Sequence, residues 1–331
     1  MTGERTHLNG SSERLKMLGD AQRQSESGQT ARFGFLMVNE EIAFDGGVAR
    51  PLPDLATRIE HGKDSVNPDD FVYPPPSRTL RQNIAFTSES IKPSELEEVP
   101  GSQRPAPLFK LAPSHELVLD APVAGALRTS DGGFLMQLLA YLHGVRLQFE
   151  DWFVDQRIPM KIGKTVDFSI PEGHRDGVIS RCYGTWKAWP QVVKTRVTNL
   201  LYMNSRSPCY EWAWERFMVD YMVFDGLYKA AAELDLVAAN LAHKKRLAAM
   251  CDRFGVPKDG ARLAFIYDLR NGLFHEALWA EGTPGYGLSE EAVYAAMHLR
   301  GMNLRVIAGL LGHDNEYVHS QWWSLWRQTF T

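Results

Sequence analysis

The sequence predicts an α+β fold, in which a small β-rich N-terminal domain is followed by an all-α helical bundle. Before residue 125, short apolar runs alternate with proline-rich connectors such as Pro74-Pro75-Pro76, a pattern typical of strands joined by loops. After Gly133 the apolar residues recur at helical spacing instead. The chain of 331 residues is long enough for about two such domains.

The composition predicts a soluble cytoplasmic protein. Hydrophobic residues make up 44% of the chain, and the net charge of −4 shows no basic excess, so binding of a nucleic acid would need a local basic site. Cys182, Cys209 and Cys251 lie far apart, which favours a reducing compartment over a disulfide framework. The polar N-terminus has no apolar core typical of a signal peptide. No apolar stretch approaches the roughly 20 residues that span a membrane.

The N-terminal part is predicted to begin with a flexible tail. Residues 1–30 are rich in Ser, Gly, Gln, Glu and Arg and offer little to bury. Residues 31–125 form the predicted β-rich domain, which starts with a strand at Phe33–Val38, a turn, and a second strand at Ile42–Phe44. Further strands are predicted at Asn83–Phe86, Leu108–Leu111 and Glu116–Leu119.

Residues 126–183 are predicted to contain one helix and a connecting segment. Apolar residues recur at helical spacing from Phe134 to Phe153, which predicts a helix that ends near Ile158-Pro159. A strand is predicted at Thr165–Ile170.

Residues 184–331 are predicted to form a helical bundle, because short loops join helices that pack antiparallel. Gly255 and Ser289 are the predicted C-terminal and N-terminal caps of two of these helices. A final short helix would pack through Trp322, Trp323 and Trp326. The other predicted helices are Trp186–Tyr202, Cys209–Leu236, Ala242–Phe254, Ala261–Trp279, and one from Ser289 to about Leu311.

One motif in the bundle carries candidate chemistry. Arg270 and His275 stand five positions apart in an apolar, helical segment. Arginine keeps its charge at physiological pH and can hold a phosphate, while histidine exchanges a proton near neutrality. No other histidine of this sequence has an arginine five to seven positions before it. The alternative is a surface arginine and a histidine with a structural role.

The motif and its place in the bundle resemble the HEPN superfamily. Its signature is an arginine, four to six residues, and then a histidine, often with a polar residue directly after the arginine. Here the segment reads Arg270-Asn271-Gly272-Leu273-Phe274-His275 and follows a long amphipathic helix and a short basic one. It is most similar to the ApeA-like and abortive-infection branches. The resemblance covers about residues 184–331.

The resemblance implies a metal-independent endoribonuclease that needs no cofactor and acts on an RNA substrate in phage defence or toxin-like growth arrest. Two protomers of a homodimer would form one composite site, in which His275 acts as general acid or base, Arg270 stabilises phosphate charge and Asn271 orients the phosphate. Since a five-residue step in a straight helix separates side chains by about 140°, a site shared between chains is reasonable. The N-terminal domain would bind a trigger or regulator.

Other polar residues are weaker candidates. Asp220 and Asp225 could reach Arg270 or His275 and fix their geometry, or both could face solvent. The basic set could guide RNA to the site, or could form a solvated helix face. It consists of His243, Lys244, Lys245 and Arg246.

Two alternatives to the nuclease remain open. The first is a non-catalytic HEPN module that serves in binding or dimerisation, as a scaffold or as a sensor of a protein or nucleotide. The second is a metal hydrolase, although the spacing of its possible ligands matches no known site, and we expect no metal. Those ligands would be His313, Asp314, Glu316 and His319. A glycine-rich turn lacks the Lys-Ser/Thr ending of a phosphate-binding loop and is predicted to be a plain connection. Its glycines are Gly282, Gly285 and Gly287.

Overall fold

The computed structural model shows a mixed fold of helices and small sheets, which confirms the predicted α+β class. It describes residues 29–63, 66–81, 97–123, 125–160, 168–171, 173–284, 289–324 and 328–330. No helix in these ranges combines the length and the apolarity that crossing a bilayer would require.

The main sheet has five antiparallel strands in the order β2-β3-β7-β1-β8. They are β1 (Thr30–Gly34), β2 (Ile42–Phe44), β3 (Gly47–Pro51), β7 (His115–Leu119) and β8 (Gln148–Phe149). The tight hairpin joins β2 to β3 through Asp45-Gly46, a pair of residues that favours two-residue turns. The predicted strand at Phe33–Val38 is wrong after Gly34, and β1 pairs with β7 and β8 instead of with β2.

Three pairs of short strands lie outside the main sheet. β4 (Phe71–Val72) pairs with β9 (Ile158–Pro159), β5 (Pro76–Arg81) with β6 (Glu97–Pro105), and β10 (Phe168–Ser169) with β11 (Gln328–Thr329).

The remaining strand predictions have mixed outcomes. The strand at Glu116–Leu119 is confirmed as part of β7. The predicted strand at Leu108–Leu111 is wrong, because only Phe109 forms a bridge there, to Val154. The one predicted at residues 83–86 lies outside the described residues, as do residues 165–167 of the one predicted at Thr165–Ile170.

The first helix after the sheet is much shorter than predicted. Helix α2 (Asp131–His143) ends at Gly144, whose φ of 64° is left-handed and suits glycine. Leu147 and Phe149 are buried beyond that point, but Phe149 lies on strand β8. The predicted helix extended past Gly144 because the residues that follow are also apolar and buried. Where a segment is buried on all sides, the apolar pattern does not distinguish a helix from a strand.

The helical part contains six further helices in the described residues. They are α3 (Arg175–Lys187), α4 (Gln191–Arg206), α5 (Ala213–Glu233), α6 (His243–Phe254), α7 (Gly260–Asn271) and α8 (Glu290–Leu310), and α1 (Leu55–Lys63) lies earlier in the chain. The helix predicted at Trp186–Tyr202 is confirmed from Gln191 onwards as part of α4. Its predicted start is wrong, because α3 ends at Lys187 and the chain breaks at Trp189-Pro190, where proline cannot continue a helix.

The predicted helix caps are correct. Gly255 ends α6 with a φ of 67°, and the Ser289 side chain accepts a hydrogen bond from the Ala292 N–H at the start of α8. The predicted final helix is not observed around Trp322 and Trp323, which lie in turns, although Trp322 is buried and donates from its Nε1 to the Pro257 carbonyl at 2.7 Å. Trp326 lies outside the described residues.

The core is continuous from the sheet to the helices. Its buried residues include Ala31 and Phe33 on β1, most of α2, and the facing sides of α5 and α8, each of 21 residues. The predicted boundaries at residues 125 and 183 therefore fall within one shared core. Helix α7 packs against α6 and α8 at one end of this core, and that packing fixes the position of the Arg270–His275 segment.

Candidate active site

The Arg270–His275 segment ends helix α7 in a π-helical turn. The helix begins at Asp259, whose carboxylate accepts a hydrogen bond from the Arg262 N–H at 3.0 Å. After Asn271 the backbone widens into a π turn over Gly272–Glu276, in which the Ala277 N–H donates to the Gly272 carbonyl five residues earlier. Single π turns inside α-helices are frequent at functional sites.

This turn overturns the expectation that the two side chains point 140° apart. A π turn has more residues per turn than an α-helix, so a five-residue step that runs through it comes closer to one full turn. Arg270 and His275 therefore lie on one side of the same chain, and the Arg270 Nη1 is 2.7 Å from the His275 Nε2. Contact between the pair does not require a second protomer.

Gly272 permits the wide turn. The Leu278 N–H also donates to the Gly272 carbonyl, at 3.0 Å, so the chain folds back over this residue. A Cβ at position 272 would lie only 3.3 Å from the Leu278 carbonyl oxygen. The glycine costs helix stability, about 1 kcal/mol relative to alanine, but a larger residue would crowd the returning backbone.

The hydrogen bonds of the pair join both side chains to Asn271. The Arg270 Nη1 donates to the Asn271 Oδ1 at 3.1 Å and lies 2.7 Å from the His275 Nε2. Because arginine has donors and no acceptor, it can bond to the Nε2 only through the lone pair of that nitrogen. His275 is exposed to solvent, so this lone pair becomes accessible when Arg270 moves away.

Arg270 has no carboxylate partner within the described residues, unlike Arg246, Arg262 and Arg300. Its guanidinium lies 5.8 Å from the centre of the Tyr221 ring and 5.4 Å from that of Phe274. Its Nε is buried without a hydrogen-bond partner. Aromatic faces offset only part of the cost of burying a cation, so this half-buried charge favours an anionic ligand.

A second histidine lies beside the pair. The His243 Nδ1 is 3.5 Å from the Asp225 Oδ1, and the His243 ring centre is 6.3 Å from that of Tyr221, the ring that also faces Arg270. Burial lowers the pKa of His243, and the positive charges of Arg246 and Arg270 act in the same direction, although the Asp225 carboxylate acts against them. His243 is therefore mostly neutral at neutral pH.

The sequence placed His243 only in a basic run that could guide RNA, and not beside the Arg270–His275 pair. It opens the basic run that continues with Lys244, and nothing in that run separates it from a solvated helix face. Only the tertiary structure brings His243 to the site, because Asp225 on α5 contacts both His243 and Arg246 of α6. Asp225 thus reaches the neighbourhood of the pair through His243, with no direct contact to Arg270.

Asp220 lies in a different network. Its carboxylate is buried, accepts a hydrogen bond from the Ser207 hydroxyl at 2.9 Å, and lies 3.7 Å from the Arg300 guanidinium. Burial raises its pKa to about 6, although Arg300 and Ser207 act in the opposite direction. The alternative that it faces solvent is wrong, and its contacts hold α5 against neighbouring elements instead of orienting Arg270 or His275.

The predicted RNA-binding residues differ in their surroundings. Lys244 and Lys245 are exposed at the start of α6. Arg246 is half-buried, and its Nη1 pairs with the Asp225 Oδ1 at 3.0 Å while its Nε donates to the Leu241 carbonyl. Arg246 therefore orients Asp225, and only the two lysines are placed to meet a solvent-borne anion.

The C-terminal histidines do not gather into a metal site within the part of the chain that the structure describes. The His319 Nε2 lies 2.5 Å from the Asp314 Oδ1, and its Nδ1 lies 2.9 Å from the Gly255 carbonyl. His313 is buried, 3.3 Å from the Cys182 Sγ.

In the glycine-rich turn Gly282 bridges back to Trp279, while residues 285 and 287 lie outside the described ranges.

Comparisons with known proteins do not add to this site. No protein-family model matches the sequence, no curated protein matches it, and no solved structure matches the fold. The geometry of the Arg270–His275 pair and its neighbours is therefore the basis for a functional assignment.

Proposed function

We propose that the protein is a metal-independent endoribonuclease of the HEPN type, with Arg270 and His275 as its catalytic pair. The observation that carries the proposal is the π turn. It places Arg270, which has no carboxylate partner among the described residues, 2.7 Å from the exposed His275. The proposed setting is phage defence or growth arrest by abortive infection, in line with the resemblance of residues 184–331.

The proposed reaction is an internal transfer of the phosphodiester. The 2′-hydroxyl of the RNA attacks the adjacent phosphorus, and its proton passes to the His275 Nε2. The bond from phosphorus to the 5′-oxygen breaks, which yields a 2′,3′-cyclic phosphate and a 5′-hydroxyl once that oxygen has gained a proton. Arg270, drawn from His275 to the phosphate, stabilises the charge that develops on the equatorial oxygens.

A second proton-transfer group must protonate the leaving oxygen. His243 is one source within the same chain in its protonated form, which the Asp225 carboxylate, 3.5 Å from its Nδ1, favours. The same Arg270–His275 pair of a second protomer is the other source. Proton transfer by such a group contributes about 10²–10⁴-fold to the rate, so loss of the correct histidine should be easy to measure.

Exposed apolar side chains beside the pair support a homodimer. Phe274 is 41% exposed and Leu278 is 37% exposed, although both are large and hydrophobic. Apolar side chains that remain exposed around a polar site are typical of an interface. We propose that these residues meet a second copy of the chain and bring two Arg270–His275 pairs together.

The same side chains favour a second candidate function, a non-catalytic module that binds or dimerises through this surface. In that case Phe274 and Leu278 would supply the binding energy, and the Arg270 charge would select an acidic partner. The two functions differ in one respect, since only the nuclease requires His275 to exchange a proton.

The test compares the wild type with His275→Ala in cells, with growth and RNA ends as readouts. The nuclease predicts that the wild type arrests growth and produces new 2′,3′-cyclic phosphate ends, and that His275→Ala does neither while it remains folded and dimeric. Equal growth arrest and equal RNA ends in the two strains would contradict the catalytic proposal. A change of assembly alone in Arg270→Ala would favour the binding module.

A further inference from the structure

A second candidate site lies in a cleft of about 740 Å³ between the first half of α2 and helix α4. Ligand-binding clefts of proteins usually enclose roughly 300–1,000 Å³, so this one can hold a small molecule. None of the residues that form the Arg270–His275 site lines it.

The floor of the cleft contains two buried amide groups with unsatisfied oxygens. Gln137 is 4% exposed and Gln148 is 7% exposed, and the Oε1 of each is buried with no hydrogen-bond partner in the part of the chain that the structure describes. The Gln148 Nε2 donates to the Phe153 carbonyl at 3.1 Å, which fixes its Oε1 as an acceptor. An unpaired buried acceptor costs about 1–3 kcal/mol, and a ligand with N–H donors would remove that cost.

The Gln137 amide makes no hydrogen bond to any described residue. It can therefore present either its oxygen or its nitrogen to a ligand without breaking a contact of the fold. Together the two glutamines offer one fixed acceptor and one adaptable donor–acceptor group, the combination that reads the edge of a nitrogen heterocycle.

The walls of the cleft are aromatic and polar. Trp152 and Tyr202, both half-buried, provide planar surfaces on which a heterocyclic ring can rest. Trp186 also lines the cleft, but its ring is buried and stacks on Phe134. One face of α4 lines the cleft with polar side chains spaced three and four residues apart. They are Gln191, Lys194, Thr195, Thr198 and Asn199.

Two cations line the cleft. The Lys194 Nζ lies 5.1 Å from the centre of the Trp186 ring and has no carboxylate partner among the described residues. Arg128 is paired with Asp151 at 3.3 Å, so its charge is partly offset. Asp131 also lines the cleft and accepts a hydrogen bond from the Tyr183 hydroxyl. Lys194 is therefore the residue best placed to meet a phosphate.

We propose that this cleft binds a nucleotide, with the base at Gln137 and Gln148 and the phosphate at Lys194. The ligand can be a free mononucleotide or one nucleotide unit of an RNA chain, because both present the same base edge and phosphate. This site does not depend on the proposed nuclease activity, since the two sites share no residue.

The test measures binding to the full chain by titration calorimetry. The probes are AMP, GMP, CMP and UMP, the four matching nucleosides, and a mixed-sequence RNA tetranucleotide. We expect at least one mononucleotide or the tetranucleotide to bind. Tighter binding of one of the two classes shows whether the ligand is a free mononucleotide or a unit of an RNA chain. The corresponding nucleoside should bind about tenfold more weakly, because it lacks the phosphate that meets Lys194.

Two variants with a matched control complete the test. Gln137→Met should weaken binding at least about tenfold without lowering thermal stability, since no hydrogen bond of the fold is lost. Lys194→Ala should weaken binding of the nucleotide but not of the nucleoside. Lys187→Ala removes a lysine that also lies over an aromatic ring, Tyr183, but outside the cleft, and should bind as the wild type does.

Three results would overturn the proposal. The first is the absence of binding by every probe at millimolar concentration. The second is unchanged binding by Gln137→Met. The third is equal weakening by Lys187→Ala and Lys194→Ala, which would show that overall charge, and not the cleft, governs the interaction.

Discussion

Replacement of Arg270 by lysine tests the chemistry of the site while the positive charge is kept. In the structure the Arg270 Nη1 donates to the Asn271 Oδ1 at 3.1 Å and contacts the His275 Nε2 at 2.7 Å. In the proposed reaction the planar group moves from His275 to the phosphate, where its N–H groups can bond to two phosphate oxygens. A lysine ammonium is a single point charge and cannot make this fixed fork.

The expected decrease in the cleavage rate follows from the loss of one oriented hydrogen-bond donor to the transition state. Such a loss lowers kcat by about 10²–10³-fold, which corresponds to about 2.7–4 kcal/mol. Stability should change little, because Arg270 bonds only to its near neighbours Asn271 and His275, and an unfolding midpoint within about 4 °C of the wild type is expected.

The assay is single-turnover cleavage of a fluorescent RNA, with Arg262→Lys as the matched control. Arg262 lies on the same helix but pairs with Asp259, and its replacement should leave the rate unchanged within about twofold, since partly exposed ion pairs contribute little. The reasoning is refuted if Arg270→Lys cleaves at the wild-type rate, or if Arg262→Lys loses as much activity.

Three further predictions follow from the same geometry. His243→Gln should lower the cleavage rate about 10²-fold if His243 protonates the leaving oxygen. The control is His298→Gln, which changes a half-buried histidine elsewhere in the chain and should leave the rate unchanged. Equal rates for the two variants would show that another group protonates the leaving oxygen. Gly272→Val should lower the cleavage rate about tenfold or more and should also lower the unfolding midpoint. The reason is that a Cβ added at this position would lie 3.3 Å from the Leu278 carbonyl oxygen. A fully active variant would show that the π turn is not required. Burial lowers the pKa of both His115 and His313 to about 4, so the unfolded chain binds protons from about pH 6.5 downwards and the folded chain does not. The free energy of unfolding, measured with urea, should therefore fall between pH 6.5 and 4 by about 1.4 kcal/mol per pH unit for each histidine, and an unchanged value between pH 7.5 and 5 would contradict this.

Local signals in the sequence predicted several elements correctly. Gly255 and Ser289 were identified as helix caps because each cap depends on one residue and its immediate neighbours. Strand β7 was predicted because Glu116–Leu119 is a short, mostly apolar run that follows a proline-rich connector. The Arg270–His275 pair was found in the same way, from two residue types at a short spacing.

The remaining features depend on contacts that no short pattern records. A π turn differs from an α-helical turn by the shift of a hydrogen bond by one residue. The sequence from Asn271 to Glu276 has no apolar pattern that would distinguish the two. Helix α2 was extended past Gly144 because the residues that follow are buried whatever their conformation. His243 joins the site only because α5 and α6 pack together and bring it to Asp225.

The central claim is that the Arg270–His275 pair cleaves RNA without a metal ion. Its most direct test is to incubate purified wild-type and His275→Ala proteins with total cellular RNA in excess EDTA and to identify the new ends by sequencing. Our account predicts new 2′,3′-cyclic phosphate and 5′-hydroxyl ends from the wild type and none from His275→Ala. The same ends from both proteins, no cleavage by either, or cleavage that EDTA abolishes, would contradict it.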